Sequence, residues 1–137
     1  MTQPYQLFCD GAARGNPGPA SAGAVIKNAS GEVVAEISEY LGETTNNQAE
    51  YQALRFGLQK ALELKIHELD VFLDSELVVK QVKGLYKVKH PDLIPLHREI
   101  KSLLGKFSHV SVSHVYREKN KEADKLANLA IDRHFSK

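Results

Sequence analysis

The hydrophobic pattern changes rhythm along the chain. Residues 5–10, Tyr-Gln-Leu-Phe-Cys-Asp, read as a strand ending at Asp10, where aromatic and apolar residues give way to a glycine-rich run. Two further strands, 22–28 and 33–41, flank Asn28-Ala-Ser-Gly31, a short polar span with glycine that suits a longer hairpin loop. Three consecutive antiparallel strands follow from that arrangement.

The spacing then turns helical. Thr45-Asn-Asn-Gln48 has the form of a capping box, and Ala49, Ala53, Leu54, Leu58, Ala61 and Leu62 repeat at helical intervals to about residue 65. Glu50 falls in the first turn on the side of Leu54 and Leu58, so it faces inward. Residues 69–74, Leu-Asp-Val-Phe-Leu-Asp, form a short apolar strand ending in an acid, and Ser75 caps a helix over 76–82. The segment 83–91 breaks the pattern. A helix resumes over 92–104, with Leu93, Leu96, Ile100, Leu103 and Leu104 on one stripe and Pro95 in its first turn. A strand over 110–115 and a closing helix over 120–133, with Ala123, Leu126, Ala127, Ala130 and Ile131 inward, complete the order.

That order, three strands, a helix, a strand, helices, a strand and a helix, needs a right-handed crossover and predicts an α/β fold with a mixed sheet carrying helices. Ligands in such sheets collect where strands end and helices begin. Asp10, Glu50, Asp74 and Asp124 all lie at such places, so the four carboxylates can share one crevice. Hard oxygen ligands far apart in sequence but gathered in space suit Mg²⁺ or Mn²⁺. Taken singly, each acid also has an ordinary structural reading as a turn residue, a helix cap or a solvated helix acid.

Composition narrows the class. A chain of 137 residues fits one domain over 1–137. With 42% hydrophobic and 26% charged residues it is an ordinary globular sequence. No apolar run approaches the roughly 18 residues of a spanning helix. The N-terminus lacks the pattern of a secretory signal, and the single Cys9 cannot form an internal disulfide and packs in the sheet, so the expected compartment is the cytoplasm. The formal net charge is only +1, but residues 80–106 carry seven Lys or Arg against two acids, whereas 36–76 carry nine acids against three bases. A basic side and an acidic side follow, and a metal site beside a phosphate-gripping patch has this distribution, as do solvated helix faces of mixed sign.

Four motifs in register carry a resemblance. Asp10-Gly-x-x-x-Gly15-Asn16-Pro17-Gly18-Pro19, Thr45-Asn46-Asn47-x-x-Glu50, Asp74-Ser75 and Arg117-Glu118-x-Asn120-x-x-Ala123-Asp124 occur in the order seen in ribonuclease HI, and over nearly its whole length the chain resembles that family. The resemblance implies a ribonuclease H-like fold: a five-stranded mixed sheet, its first three strands antiparallel, with helices on both faces. It implies a monomeric endonuclease that cuts the RNA strand of RNA–DNA hybrids to 5′-phosphate and 3′-hydroxyl ends, acting in primer removal and R-loop clearance. Asp10, Glu50, Asp74 and Asp124 would then be catalytic residues holding two Mg²⁺ or Mn²⁺ ions, about 3.5 to 4 Å apart, at the scissile phosphate. Without metal, four acids in one place repel, so some should show raised and coupled pKa values. Gly11, Ala12, Ala13, Arg14 and Gly15 would offer peptide groups to the RNA minor groove, where the 2′-hydroxyl distinguishes RNA from DNA. Asn16, Thr45, Asn46 and Asn47 resemble the family's backbone contacts.

The sequence also departs from the better-known bacterial members. The segment 84–96 is short where they carry a lysine-rich protrusion, and Lys80, Lys83, Lys87 and Lys89 supply a modest basic strip around Tyr86, with Lys87 and Lys89 as the nucleic-acid contacts. No hybrid-binding domain is expected before residue 10. The family's loop histidine has two possible stand-ins: Arg117, on the loop itself, is favoured over His114, which falls in a strand. Glu76 stands where a glutamine is common, and its added charge is expected to move metal preference toward Mn²⁺. A catalytically silent binding module, or a nuclease that also cuts double-stranded RNA, are the alternative readings.

Overall fold

The structure, a computed structural model, describes residues 3–136. Five strands form: β1 (Tyr5–Ala13), β2 (Gly18–Lys27), β3 (Val33–Thr44), β4 (Glu68–Leu73) and β5 (His109–His114). Their order in the sheet is β3-β2-β1-β4-β5. The first three are antiparallel, and β4 runs parallel to β1, as β5 does to β4. Helix α1 (Asn46–Glu63) connects β3 to β4, α2 (Glu76–Val82) and α3 (Leu93–Leu104) connect β4 to β5, and α4 (Lys121–Phe135) follows β5. Among the described residues no helix is long and apolar enough to cross a membrane.

Local chemistry sets the boundaries. Thr45 caps α1 by accepting the Gln48 N–H at 3.2 Å, and Ser75 caps α2 through the Val78 N–H at 3.3 Å. At the hairpin after β2, the Asn28 side-chain oxygen accepts the N–H groups of Ser30 and Glu32, an Asx turn that satisfies the loop without a strand partner.

Helices cover both faces of the sheet. On one face Leu7 of β1 packs against Gly57 of α1, where a Cβ would lie 2.7 Å from the leucine Cδ1. Leu54, Leu58, Leu69, Val71 and Leu73 are fully buried in the same core, each stabilising the fold by about 1.5 to 3 kcal/mol. Tyr51 is also fully buried, its hydroxyl donating to Gln81 Oε1 at 2.5 Å. On the other face α4 lies against β1, β2 and β3 and buries Ala123, Ala127, Ala130 and Ile131. Ser21 of β2 donates its hydroxyl to the Ala127 carbonyl.

One boundary differs from the sequence reading in a way that bears on the site. β1 does not end at Asp10. It continues through Gly11, Ala12 and Ala13, paired with Ala22, Ser21 and Ala20 of β2. Small residues gave no apolar alternation there, and Gly11 looked like the start of a loop. The loop begins later, and Gly15, at φ +103°, takes the left-handed backbone that favours glycine.

Candidate active site

β1 and β4 run side by side only as far as the Cys9–Leu73 pair. β4 stops there, while β1 goes on beside β2. The sheet therefore has a step, and the next residue on each strand is an aspartate, Asp10 and Asp74.

Two glycines bring the remaining acids to this step. Asp10 pairs with Gly23 of β2, so the two residues share a face of the sheet. A Cβ on Gly23 would lie 2.2 Å from the Ala123 carbonyl oxygen, so only glycine lets α4 lie this close. Asp124 is the next residue after Ala123. On the opposite face, a Cβ on Gly11 would lie 2.3 Å from the carbonyl carbon of Ala49 and from the backbone nitrogen of Glu50. The start of α1 thus sits directly on β1, and the Gly11 N–H donates to Glu50 Oε1 at 2.5 Å. Glu50 lies one turn into α1 rather than in its first turn, and it is buried, as is Asp10.

The carboxylates converge. Asp10, Glu50 and Asp74 each place an oxygen within 4.8 Å of the others. Asp124 lines the same crevice, of about 810 Å³, together with Gly11, Ala12, Ala13, Gly15, Asn16, Asn46, Ser75, Arg117 and Asn128. Burial pushes the Asp10 carboxyl far above the usual carboxylate range, reinforced by the charge of Glu50, by hydrogen bonds with Glu50 and Asp124, and by the charge of Asp74. Glu50 is also raised, chiefly by burial, although the hydrogen bonds from Asp10 and the Gly11 N–H oppose the rise. The raised pKa values expected of clustered acids are present at both residues.

These residues fit a divalent cation. Glu50 Oε2 is buried without a hydrogen-bond partner among the described residues, beside two further carboxylates. Gathered carboxyl oxygens, one of them unpartnered, are the ligand set of a hard ion such as Mg²⁺ or Mn²⁺.

Two asparagines support these acids, one of them, Asn120, within the motif that runs from Arg117 to Asp124. Asn128, one turn beyond Asp124, donates its amide to the Asp124 backbone oxygen at 3.0 Å and to its Oδ1 at 3.3 Å. Asn120 is buried and donates to the Cys9 carbonyl at 2.8 Å, tying the start of α4 to β1 beside Asp10. An asparagine four residues after an acid was the available signal for the first; the second needed knowledge of which strand lies beneath α4.

The other candidate residues are distributed among the crevice, a neighbouring cleft and the surface. Gly11 does not offer its N–H to a ligand, since Glu50 accepts it. Arg14 turns to α4, pairing with Asp132 at 2.8 Å. Asn16, Thr45, Asn47, Lys87 and Lys89 line a neighbouring cleft of about 400 Å³ with Gln81 and His90, and Asn16 borders both hollows. Arg117, in a 3₁₀ turn after β5, lines the crevice. His114 does not; it ends β5 and meets the Tyr116 ring edge-on at 5.5 Å. Glu76 pairs with Lys80 at 2.9 Å, which holds its carboxyl below the ordinary value. Its charge is thus compensated locally, and it does not line the crevice.

Similarity to known proteins agrees with this architecture. The family model described as "Reverse transcriptase-like" matches residues 8–130. A bifunctional protein of Mycobacterium tuberculosis is 46% identical over 127 residues, 92% of this chain and 35% of that protein, so the chain spans about a third of its length. Ribonuclease HI of Halobacterium salinarum is 42% identical over 125 residues, 91% of this chain and 63% of that protein. The crystal structure of that organism's RNase H1 superposes with a TM-score of 0.92 at 40% identity, covering 96% of this chain and 99% of that one. LC11-RNase H1, solved in complex with an RNA/DNA hybrid, superposes with a TM-score of 0.91 at 42% identity, covering 96% of this chain and 99% of that one. With a shared sheet, shared helices and identity at this level over almost its full length, the chain belongs to the ribonuclease HI family.

Proposed function

We propose that this chain is a metal-dependent endonuclease that hydrolyses the RNA strand of RNA–DNA hybrids, leaving 5′-phosphate and 3′-hydroxyl ends. The observation that carries the reading is the convergence of Asp10, Glu50 and Asp74 around the unpartnered Glu50 Oε2, with Asp124 in the same crevice. The hybrid bound to LC11-RNase H1 supports the choice of substrate.

Each residue has a part in this reading. Asp10, Glu50, Asp74 and Asp124 would hold two Mg²⁺ or Mn²⁺ ions. Those ions, when bound, supply the charge that activates water and stabilises the departing 3′ oxygen. The Gly11 N–H fixes Glu50, and the Asn128 amide fixes Asp124. Arg117 places a permanent positive charge in the crevice, suited to a phosphate oxygen during cleavage or product departure. Ala12, Ala13, Gly15, Asn16 and Asn46 border the crevice where the RNA strand must lie. Thr45, Asn47, Lys87 and Lys89, with Asn16 between the hollows, present polar and cationic groups to the DNA backbone.

In this reading residues 1–137 make one ribonuclease H domain, monomeric and cytoplasmic, suited to primer removal and R-loop clearance. The test is cleavage of an end-labelled RNA–DNA hybrid beside duplex DNA, duplex RNA and single-stranded RNA, with Mg²⁺ or Mn²⁺ and with Asp74→Asn as control. Hybrid-selective cutting lost in the variant is the expected result. Tight hybrid binding with no cutting in either metal would replace the nuclease by a silent binding module, and equal cutting of duplex RNA would broaden the substrate.

A further inference from the structure

β5 is an outer strand, and among the described residues no other strand pairs with its far side. Sheet edges are ordinarily guarded against added strands by charges, prolines or bulges. The opposite edge, β3, is guarded in this way. Glu36, Glu39 and Glu43 stand along it, and register shifts interrupt its pairing with β2. β5 carries none of these devices. Its register with β4 is unbroken from Glu68–His109 to Leu73–His114, and His-Val-Ser-Val-Ser-His contains no lysine, acid, proline or glycine.

A groove of about 590 Å³ lies against Val110, Ser111, Val112 and Ser113. Successive strand side chains point to opposite faces, so a hollow touching four consecutive residues follows the backbone edge of the strand. The Val115 N–H donates to the Leu73 carbonyl at 2.9 Å. By alternation along the strand, Ser111 and Ser113 turn their peptide groups to β4, while Val110, Val112 and His114 turn theirs outward. Leu104 gives the groove an apolar wall, and Lys83 and Lys101 stand at its rim. Neither ammonium has a carboxylate within ion-pair distance among the described residues, and Lys101 Nζ donates only to the Val82 carbonyl at 3.3 Å.

We propose that the outer edge of β5 takes an acidic, extended peptide segment of a partner protein as an added strand. The edge offers N–H and C=O groups in turn, and a peptide answers both, whereas a phosphodiester backbone offers acceptors alone and leaves the outward carbonyls unmatched. On the face of the added strand that looks toward α2 and α3, aliphatic side chains would meet Leu104 and acidic ones would meet Lys83 and Lys101. A second copy joined β5 to β5 would bring the two lysine pairs together and supplies no acid at this edge. The groove shares no residue with the carboxylate crevice, so the partner would recruit the protein rather than enter its chemistry.

The probe is a blocked, fluorescein-labelled peptide with Val and Glu by turns at every second position and Thr between them, followed by anisotropy and by amide deuterium exchange. Saturable, salt-sensitive binding is expected, with slowed exchange at Val110 and Val112. Lys101→Glu should weaken it about tenfold and leave hybrid cleavage unchanged. Val110→Pro, which removes an outward N–H and no ladder bond, should abolish binding with cleavage retained. N-methylation of alternate peptide residues should abolish it too. Absence of binding overturns the proposal, as does equal binding by the N-methylated peptide, which would mean charge attraction alone. Protection of β5 by single-stranded DNA, or by self-association without peptide, would assign the edge to a different occupant and overturn it equally.

Discussion

Two regions of β1, a few residues apart, obey opposite rules. Around Leu7 the strand meets α1 with a fully buried apolar side chain against a glycine, and every contact there favours the folded chain. Around Asp10 and Gly11 the same strand buries two carboxyl groups against each other, leaves Glu50 Oε2 without a partner, and admits α1 at a distance only glycine tolerates, as Gly23 of the neighbouring β2 admits α4. Burying like charges together is unfavourable, so the second region persists because the first supplies the stability. A site assembled against its own electrostatics is what an enzyme needs if a cation is to complete it.

The strongest test of that contrast removes one ligand at the step. Asp74→Asn keeps the side-chain shape and should lower hybrid cleavage by about a thousandfold or more, the scale seen when a group stabilising transition-state charge is lost, with the fold unchanged by circular dichroism. A variant that still cut within tenfold of the parent would mean that the step is not where the chemistry happens.

A second test moves a helix instead of a charge. Gly23→Ala puts a methyl group where the Ala123 carbonyl lies, and the backbone of α4 must withdraw. Overpacking of this kind costs about 1 to 3 kcal/mol, and because Asp124 rides on the same helix, cleavage should fall as well. If thermal unfolding and cleavage both matched the parent, glycine at position 23 would not be what brings Asp124 to Asp10.

Much of this was legible in the sequence, and the misreadings have physical causes. The four acids could be grouped because each lies where an apolar rhythm stops or a cap begins, as with Thr45 before α1 and Ser75 before α2. The continuation of β1 to Ala13 was hidden because glycine and alanine there answer to the helices pressing on the strand, a tertiary demand without a hydrophobic period. The pairing of Arg14 with Asp132 and the capture of Glu76 by Lys80 were hidden for a related reason. Long charged side chains choose partners from whatever surface the fold sets beside them, and spacing in sequence shows only the nearest.

A smaller effect concerns stability without metal. Asp10 and Glu50 are easier to protonate in the folded protein than in the unfolded chain. Such groups stabilise fully below the unfolded carboxylate range of about pH 4 and lose that contribution as the pH rises through the folded values. The metal-free protein should therefore melt at a lower temperature near pH 8 than near pH 5, by a few degrees for each roughly 1 kcal/mol lost. Mg²⁺ should restore more at the higher pH, where fewer protons must leave. Asp10→Asn, which removes the ionisable group, should flatten the profile and raise the melting temperature at neutral pH while abolishing cleavage. A melting temperature that rose steadily with pH in chelator would contradict the raised folded pKa values of Asp10 and Glu50.

The smallest expected effect lies outside the step, in the cleft that holds Lys87 and Lys89. These lysines have no buried charge to answer, and their part is attraction to a phosphate backbone, which salt screens. Each phosphate contact releases condensed counterions, so replacing one lysine by alanine should reduce the slope of log affinity against log salt by about one. Binding to hybrid should weaken for every sequence alike, with cleavage at saturating substrate unchanged. That separation would sharpen the contrast between the two parts of the substrate surface: the crevice would govern the rate once substrate is bound, and the cleft would govern how readily it binds. If Lys89→Ala instead slowed cleavage at saturation and left the salt slope intact, the cleft would be positioning the scissile strand, and the division between grip and chemistry drawn from the fold would fail.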